Sequence, residues 1–382
     1  MPIGKHTRED DVKTERNIMN LHPAPTRQIG GSRISPRLQL QKLCIAFTLV
    51  VAEATIIFAQ VPKATLDNGV IHATVDLPNA VRGSYRGTRF DWSGVISDLT
   101  FAGHSYYGPW FTKKNANVAD FIYDGPNITA GNCSAITGPV EEFVTEDGSG
   151  LGFRRASPQQ TFVKIGVGTL RKPDNQRYSP YRNYEIVDHG TWKVRRRSMS
   201  IEFTQRIVDE SSGYGYLYTK VLRLDPWQPI LVIDHSLKNI GRLSIDTNVY
   251  DHNFLTLDHA TVGPDLSISF SFAVKPGTPV NGELGAVEGN RISYRKQLKG
   301  SETFTAHIGG FGTTSKDYDI RIENSRLGAG MRITGDKPLI KEELWSIRSI
   351  VAVEPFIHLI AARGKTIHWS YTYRYYTLTQ KR

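Results

Sequence analysis

From Val70 onward the chain alternates apolar and polar positions with a period of two. Leu266, Ile268, Phe270, Phe272 and Val274 alternate with Ser267, Ser269, Ser271 and Ala273. Ile367, Trp369, Tyr371, Tyr373 and Tyr375 do the same against His368, Ser370, Thr372 and Arg374, and Tyr214, Tyr216 and Tyr218 stand opposite Leu217, Thr219 and Val221. Successive side chains on a strand point to opposite faces, so each run predicts a strand with one face turned to a core. Turn residues punctuate the runs at Asp67-Asn68-Gly69, Asp147-Gly148, Pro276-Gly277, Asn281-Gly282 and Arg363-Gly364. No segment keeps helical periodicity beyond a few residues. Many strands without crossover helices predict an all-β fold, a large antiparallel β-sandwich. No repeat of propeller length is visible. No linker interrupts residues 60–382, which are expected to form one domain.

Residues 1–59 read differently. Leu43 to Ala59 is apolar apart from Glu53 and two threonines, and Arg33, Arg37 and Lys42 precede it. A charged flank, a short apolar core and a small residue at the exit, Ala59 before Gln60, predict a signal peptide and a secreted or periplasmic protein. The uninterrupted part, Leu43 to Ala52, falls short of the ~20 apolar residues that span a bilayer. No stable membrane insertion is expected after cleavage; an uncleaved anchor is the alternative. The polar stretch before Arg33, with Pro23, Pro25 and Gly30-Gly31, reads as disordered, and Met19 is an alternative start. Cys44 lies in this leader, which leaves Cys133 alone beyond it, so neither an intrachain disulfide nor a thiolate metal site can form there.

The formal charge of +10 shrinks on inspection. The leader holds eight basic and five acidic residues, so the rest of the chain carries an excess of seven. The one dense run, Arg195-Arg196-Arg197, reads as a solvated turn between strands, and no nucleic-acid-binding motif accompanies it. No nucleic-acid partner is expected. There is also no G-x-S-x-G elbow, P-loop or H-E-x-x-H. Gly148-Ser149-Gly150-Leu151-Gly152 lacks the following helix that a phosphate loop needs and reads as a hairpin turn. Asn127-Ile128-Thr129 and Asn132-Cys133-Ser134 match glycosylation sequons, which matter only in a eukaryotic host.

Two segments carry the candidate chemistry: Tyr250-Asp251-His252-Asn253-Phe254 and Val353-Glu354-Pro355. A histidine and a carboxylate on one sheet surface can protonate one oxygen while deprotonating another. The first segment follows Leu231-Val232-Ile233-Asp234-His235-Ser236-Leu237-Lys238-Asn239, a strand ending in an Asn-x-Gly turn. The second follows Leu344-Trp345-Ser346-Ile347-Arg348 and precedes Gly364-Lys365-Thr366-Ile367-His368-Trp369-Ser370-Tyr371, a glycine turn into a last aromatic strand. In these features the chain resembles the galactose mutarotase-like (aldose 1-epimerase) superfamily, from about Val70 to Tyr376 and most closely in the second half. Tyr85 to Trp92 and Phe162 to Gly168 look like a secreted bacterial branch of it.

The resemblance implies a carbohydrate-binding isomerase of carbohydrate metabolism on a β-supersandwich. His252 would be the general acid that protonates the ring oxygen. Glu354 would be the general base at the anomeric hydroxyl. Arg89 matches the family's early arginine, with Lys164 as the alternative; His189 is the candidate second histidine, and Trp345 a sugar-stacking aromatic. The sugar-orienting acid has no match, since Asp251 and Asp258 flank the motif without fitting it. Proton transfer completes such a reaction, so neither an organic cofactor nor a metal is implied. A non-catalytic carbohydrate-binding protein, stacking sugar on Trp92, Trp110 and Trp345, is the alternative reading. A hydrolase or lyase is weaker, because no carboxylate pair stands out.

Overall fold

The computed structural model describes residues 60–379; the expected leader, with its apolar run, lies outside the described residues. Two antiparallel sheets form the body. Ten strands make up the larger, in the order Thr191–Arg197, Ser200–Asp209, Tyr214–Leu224, Ile230–Asn239, Thr366–Thr377, Ala329–Gly335, Asp319–Asn324, Leu266–Phe270, Arg291–Tyr294 and Gly285–Glu288. Six make up the smaller, in the order Lys275–Pro276, Phe304–Gly309, Lys341–Ile347, Ile350–Ala361, Ile245–Phe254 and Gly138–Val144. Among the described residues the helical elements are two three-residue 3-10 turns, and no helix is long and apolar enough to cross a membrane. The large antiparallel β-sandwich expected from the sequence is the fold observed.

The alternation explains the packing. Along Thr366–Thr377, Trp369, Tyr371, Tyr373 and Tyr375 are buried, while the residues between them are exposed or half-buried. These rings meet Phe143 and Val249 of the smaller sheet in one continuous apolar core. The run from Leu266 to Val274 departs from its pattern: the strand ends at Phe270, and the chain then crosses to the other sheet as Lys275–Pro276.

The arginine run is also placed differently from expectation. Arg195, Arg196 and Arg197 belong to the edge strand Thr191–Arg197, and the turn falls at Ser198 and Met199. Their side chains are exposed at the sheet's outer edge, where charge discourages another chain from pairing with the free backbone.

The core between the sheets contains charge. Lys220 shares the inward phase of Tyr216, Tyr218 and Leu222, and it bonds Glu141 of the opposite sheet and the Ser93 carbonyl. His235 Nε2 meets the other Glu141 oxygen at 2.7 Å, and Asp91 lies 3.7 Å from Lys220. Burial opposes ionisation of Glu141, but Lys220 and His235 outweigh it and hold the carboxyl at about 2. Among the described residues Asp251 has no ion-pair partner, and it shares a 2.5 Å hydrogen bond with Tyr373 Oη; burial, reinforced by the Glu141 charge, pushes it up to about 8. The smaller sheet thus has an inner face of locked charges. Its outer face is left for the site.

Candidate functional site

The site begins with a proline inside a central strand. Antiparallel pairing of Ile245–Phe254 with Ile350–Ala361 runs from Ile245 opposite Ala361 to Tyr250 opposite Phe356. It resumes only at Leu255 opposite Val351. Pro355 falls between, and proline has no N–H to give to a ladder. Asn253 bridges the opening: its Nδ2 donates to the Val353 carbonyl at 2.9 Å, and its Oδ1 accepts from Tyr373 Oη at 2.9 Å. The register across the opening sets His252 beside Glu354 on the outer face, next to the row of Glu142, Tyr250 and Phe356.

His252 Nε2 lies 3.2 Å from Glu354 Oε1. The imidazole stacks on Phe254, with ring centres 3.7 Å apart and planes 9° apart, and Phe90 and Trp345 approach it edge-on. Contact alone favours an imidazolium–carboxylate pair, yet both groups are almost wholly withdrawn from water among aromatic rings. Burial prevails. It holds His252 well below its ordinary value, with the Arg89 charge adding to the effect. It also pushes Glu354 up to about 7, which Arg89 only partly offsets. Near neutrality the pair holds one proton, resting on the carboxyl side.

These two residues line a cavity of about 160 Å³ with Arg89, Trp110, Asp120, Phe121, Ser134, Tyr181, Phe254 and Trp345. Trp110 packs parallel to Phe254 and edge-on to Trp345, so the wall is a rigid aromatic block. Arg89 Nε donates to Glu142 at 2.7 Å and its Nη2 to Tyr250 Oη at 3.0 Å, which leaves other guanidinium N–H groups for a guest. Asp120 accepts from Ser134 Oγ, and burial raises its pKa.

The structure therefore brings His252, Glu354, Arg89 and Trp345 together and leaves Lys164 and His189 elsewhere. Lys164 is fully buried, its ammonium 2.8 Å from Glu142 Oε1, so it stands behind the Arg89–Glu142 pair and cannot touch a guest. Its strand, Thr161–Lys164, runs straight into a turn at Gly166, where φ is +79° and a Cβ would lie 2.6 Å from Asp91. That tight turn fixes Lys164 inward. His189 is exposed in a separate cavity beside Trp92. Of the flanking acids, Asp251 faces the core, and Asp258 bonds His104 and the Ser105 amide. The sequence reading missed Asp120, Ser134, Tyr181 and Glu142. Glu142 had a signal: Glu141-Glu142 is a carboxylate pair within an otherwise apolar strand. Asp120 had none, because its loop shows no periodicity.

Comparison with protein-family models finds no match, and comparison with curated proteins finds none. Among solved structures the chain is similar to a galactose mutarotase-like protein from Lactobacillus casei, at 12% identity and TM-score 0.46 over 82% of this chain and 100% of that one. It is also similar to a galactose mutarotase-like protein from Clostridium acetobutylicum, at 10% identity and TM-score 0.48 over 85% and 97%. A galactose mutarotase related enzyme from Lactobacillus acidophilus matches at 12% identity and TM-score 0.47 over 84% and 99%.

Proposed function

We propose that this chain binds a sugar in the His252–Glu354 cavity and interconverts its anomers, acting after export from the cytoplasm. The observation that carries the reading is the contact between imidazole and carboxylate at the cavity wall. Ring opening takes a proton from the anomeric hydroxyl and gives one to the ring oxygen, and both oxygens are bonded to the same carbon. Acid and base must therefore stand side by side, unlike the separated carboxylates of glycoside hydrolysis.

Proton transfer from Glu354 to His252 gives the carboxylate that accepts the hydroxyl proton and the imidazolium that protonates the ring oxygen. Closure from the other face of the carbonyl reverses both transfers and restores the pair. Arg89 donates to sugar oxygens, Asp120 accepts from a ring hydroxyl, and Trp345 and Trp110 cover the apolar face of the ring. A volume of about 160 Å³ is small beside the ~300–1,000 Å³ of pockets for larger ligands, which favours a single sugar ring.

The test is anomer exchange across a panel of aldoses, followed by NMR. At least one sugar should exchange faster than in buffer, and Glu354→Gln should slow it by ~10²-fold or more while binding survives. Binding without accelerated exchange would instead establish a carbohydrate-binding protein without catalysis.

A further inference from the structure

The cavity that holds His189 has a different character from the one just described. It measures about 490 Å³ and is lined by Arg86, Lys114, His189, Trp92, Asn132 and Gly87, with smaller residues between them. Among the described residues no carboxylate lines it. In the neighbouring cavity Glu354 and Asp120 are present and Glu142 absorbs the Arg89 charge. The two spaces share a wall. Residues 84–92 and 132–135 give Arg86, Gly87, Trp92, Asn132 and Ala135 to one, and Arg89 and Ser134 to the other.

The cations in the second cavity are spare. Among the described residues Lys114 Nζ makes one hydrogen bond, to the Ser84 carbonyl at 2.6 Å, and Arg86 Nη1 makes one, to the Val81 carbonyl at 2.9 Å. The remaining N–H donors of both side chains are open to a ligand. Burial lowers the Lys114 pKa; the charge of Asp76 partly opposes this, and a smaller contribution, the repulsion of Arg86, adds to the lowering. An anion between the two cations would relieve that repulsion. A bare ion would not need the rest of the cavity. The indole of Trp92 is fixed by its Nε1 bond to the Gly87 carbonyl, and the His189 ring lies beside it at 6.3 Å. An indole–imidazole wall, an exposed carboxamide and this volume suit a sugar ring.

We propose that the Arg86–Lys114–Trp92 cavity is a second binding site, for a saccharide that carries a carboxylate or a sulfate ester. It does not depend on the His252–Glu354 reading, because no residue is shared.

The test is calorimetric titration of the purified chain with digalacturonate, a sulfated disaccharide, the neutral disaccharide of galactose, and inorganic sulfate. The acidic disaccharides should bind at least tenfold more tightly than the neutral one and weaken as salt is added. The two acidic probes separate carboxylate from sulfate recognition. Arg86→Gln with Lys114→Gln should lower acidic-saccharide affinity tenfold or more. Both side chains are exposed, so the fold and any anomer exchange should be unchanged. Equal affinity for acidic and neutral disaccharides, no binding of either acidic probe, or full binding by the double variant would each overturn the proposal. So would sulfate alone binding as tightly as the saccharides.

Discussion

The Asn253 carboxamide donates to the Val353 carbonyl at 2.9 Å, across the stretch of ladder that Pro355 leaves unpaired. A side chain thus replaces a backbone bond at the point where two central strands must part slightly and still hold register. His252 and Glu354 flank this bridge, so their mutual position depends on it.

Replacing Asn253 should therefore be costly. Asn253→Leu leaves the Val353 carbonyl and one Tyr373 interaction unmade in a buried setting. At about 1–3 kcal/mol for each unsatisfied group, a loss of about 2–4 kcal/mol is expected in urea unfolding. Anomer exchange should fall with it. An unchanged unfolding midpoint would refute the bridging role.

The pH dependence of exchange follows from the shared proton. In the proposed reaction the working form has one proton on the His252–Glu354 pair. Above about 7 the pair loses it, and the rate should fall. On the acid side a second proton enters below the ordinary histidine range, and the rate should fall again. A bell-shaped profile of kcat/KM with its alkaline limb near 7 is expected. A rate still rising from pH 7 to 9 would contradict it.

Stability should vary with pH in a direction set by the buried acids. Asp251 has an ordinary value of 3.8 and is held at about 8 in the folded chain. Between those values the folded state keeps a proton that the unfolded state has lost, so stability declines as pH rises. Asp91, held at about 6, and Glu354, at about 7, act in the same sense. Glu141, held at about 2, acts oppositely: its contribution is present above 4.5 and lost as pH falls through about 2. The depressed histidines His235 and His252 act oppositely only below their ordinary value of 6.5, so thermal unfolding should show a decline from about pH 6.5 toward pH 8. Asp251→Asn should flatten the decline; an unaltered slope would show that Asp251 is not its source.

Lys220 is the cation on which the interior depends. Lys220→Met leaves Glu141 buried with His235 as its remaining partner among the described residues and removes the cation that lies 3.7 Å from Asp91. Breaking a buried pair from one side costs about 3–5 kcal/mol, and chemical denaturation should show a loss on that scale. Adding Glu141→Gln to Lys220→Met should recover part of it. Absence of recovery would mean that packing, not charge, explains the loss.

The alternation of apolar and polar residues by itself determined the all-β class, the inward tyrosines of Thr366–Thr377 and the strand positions of His252 and Glu354. A period of two is a property of the local backbone, so it survives in the sequence whatever the strand later packs against. The same alternation already put Lys220 in phase with Tyr216 and Leu222, and His235 in phase with Ile233 and Leu237. What it could not show was Glu141 on the opposite sheet, which makes those positions tolerable. Only the tertiary structure decided that Lys164 is spent on Glu142, that His189 belongs with Trp92, and that Asp120 and Tyr181 complete the wall around Glu354. The last two come from loops and meet the sheet across more than a hundred residues of chain. Such meetings are set by how loops lie over the sheet and by which charges can find partners out of water. Neither leaves a periodic mark in a sequence.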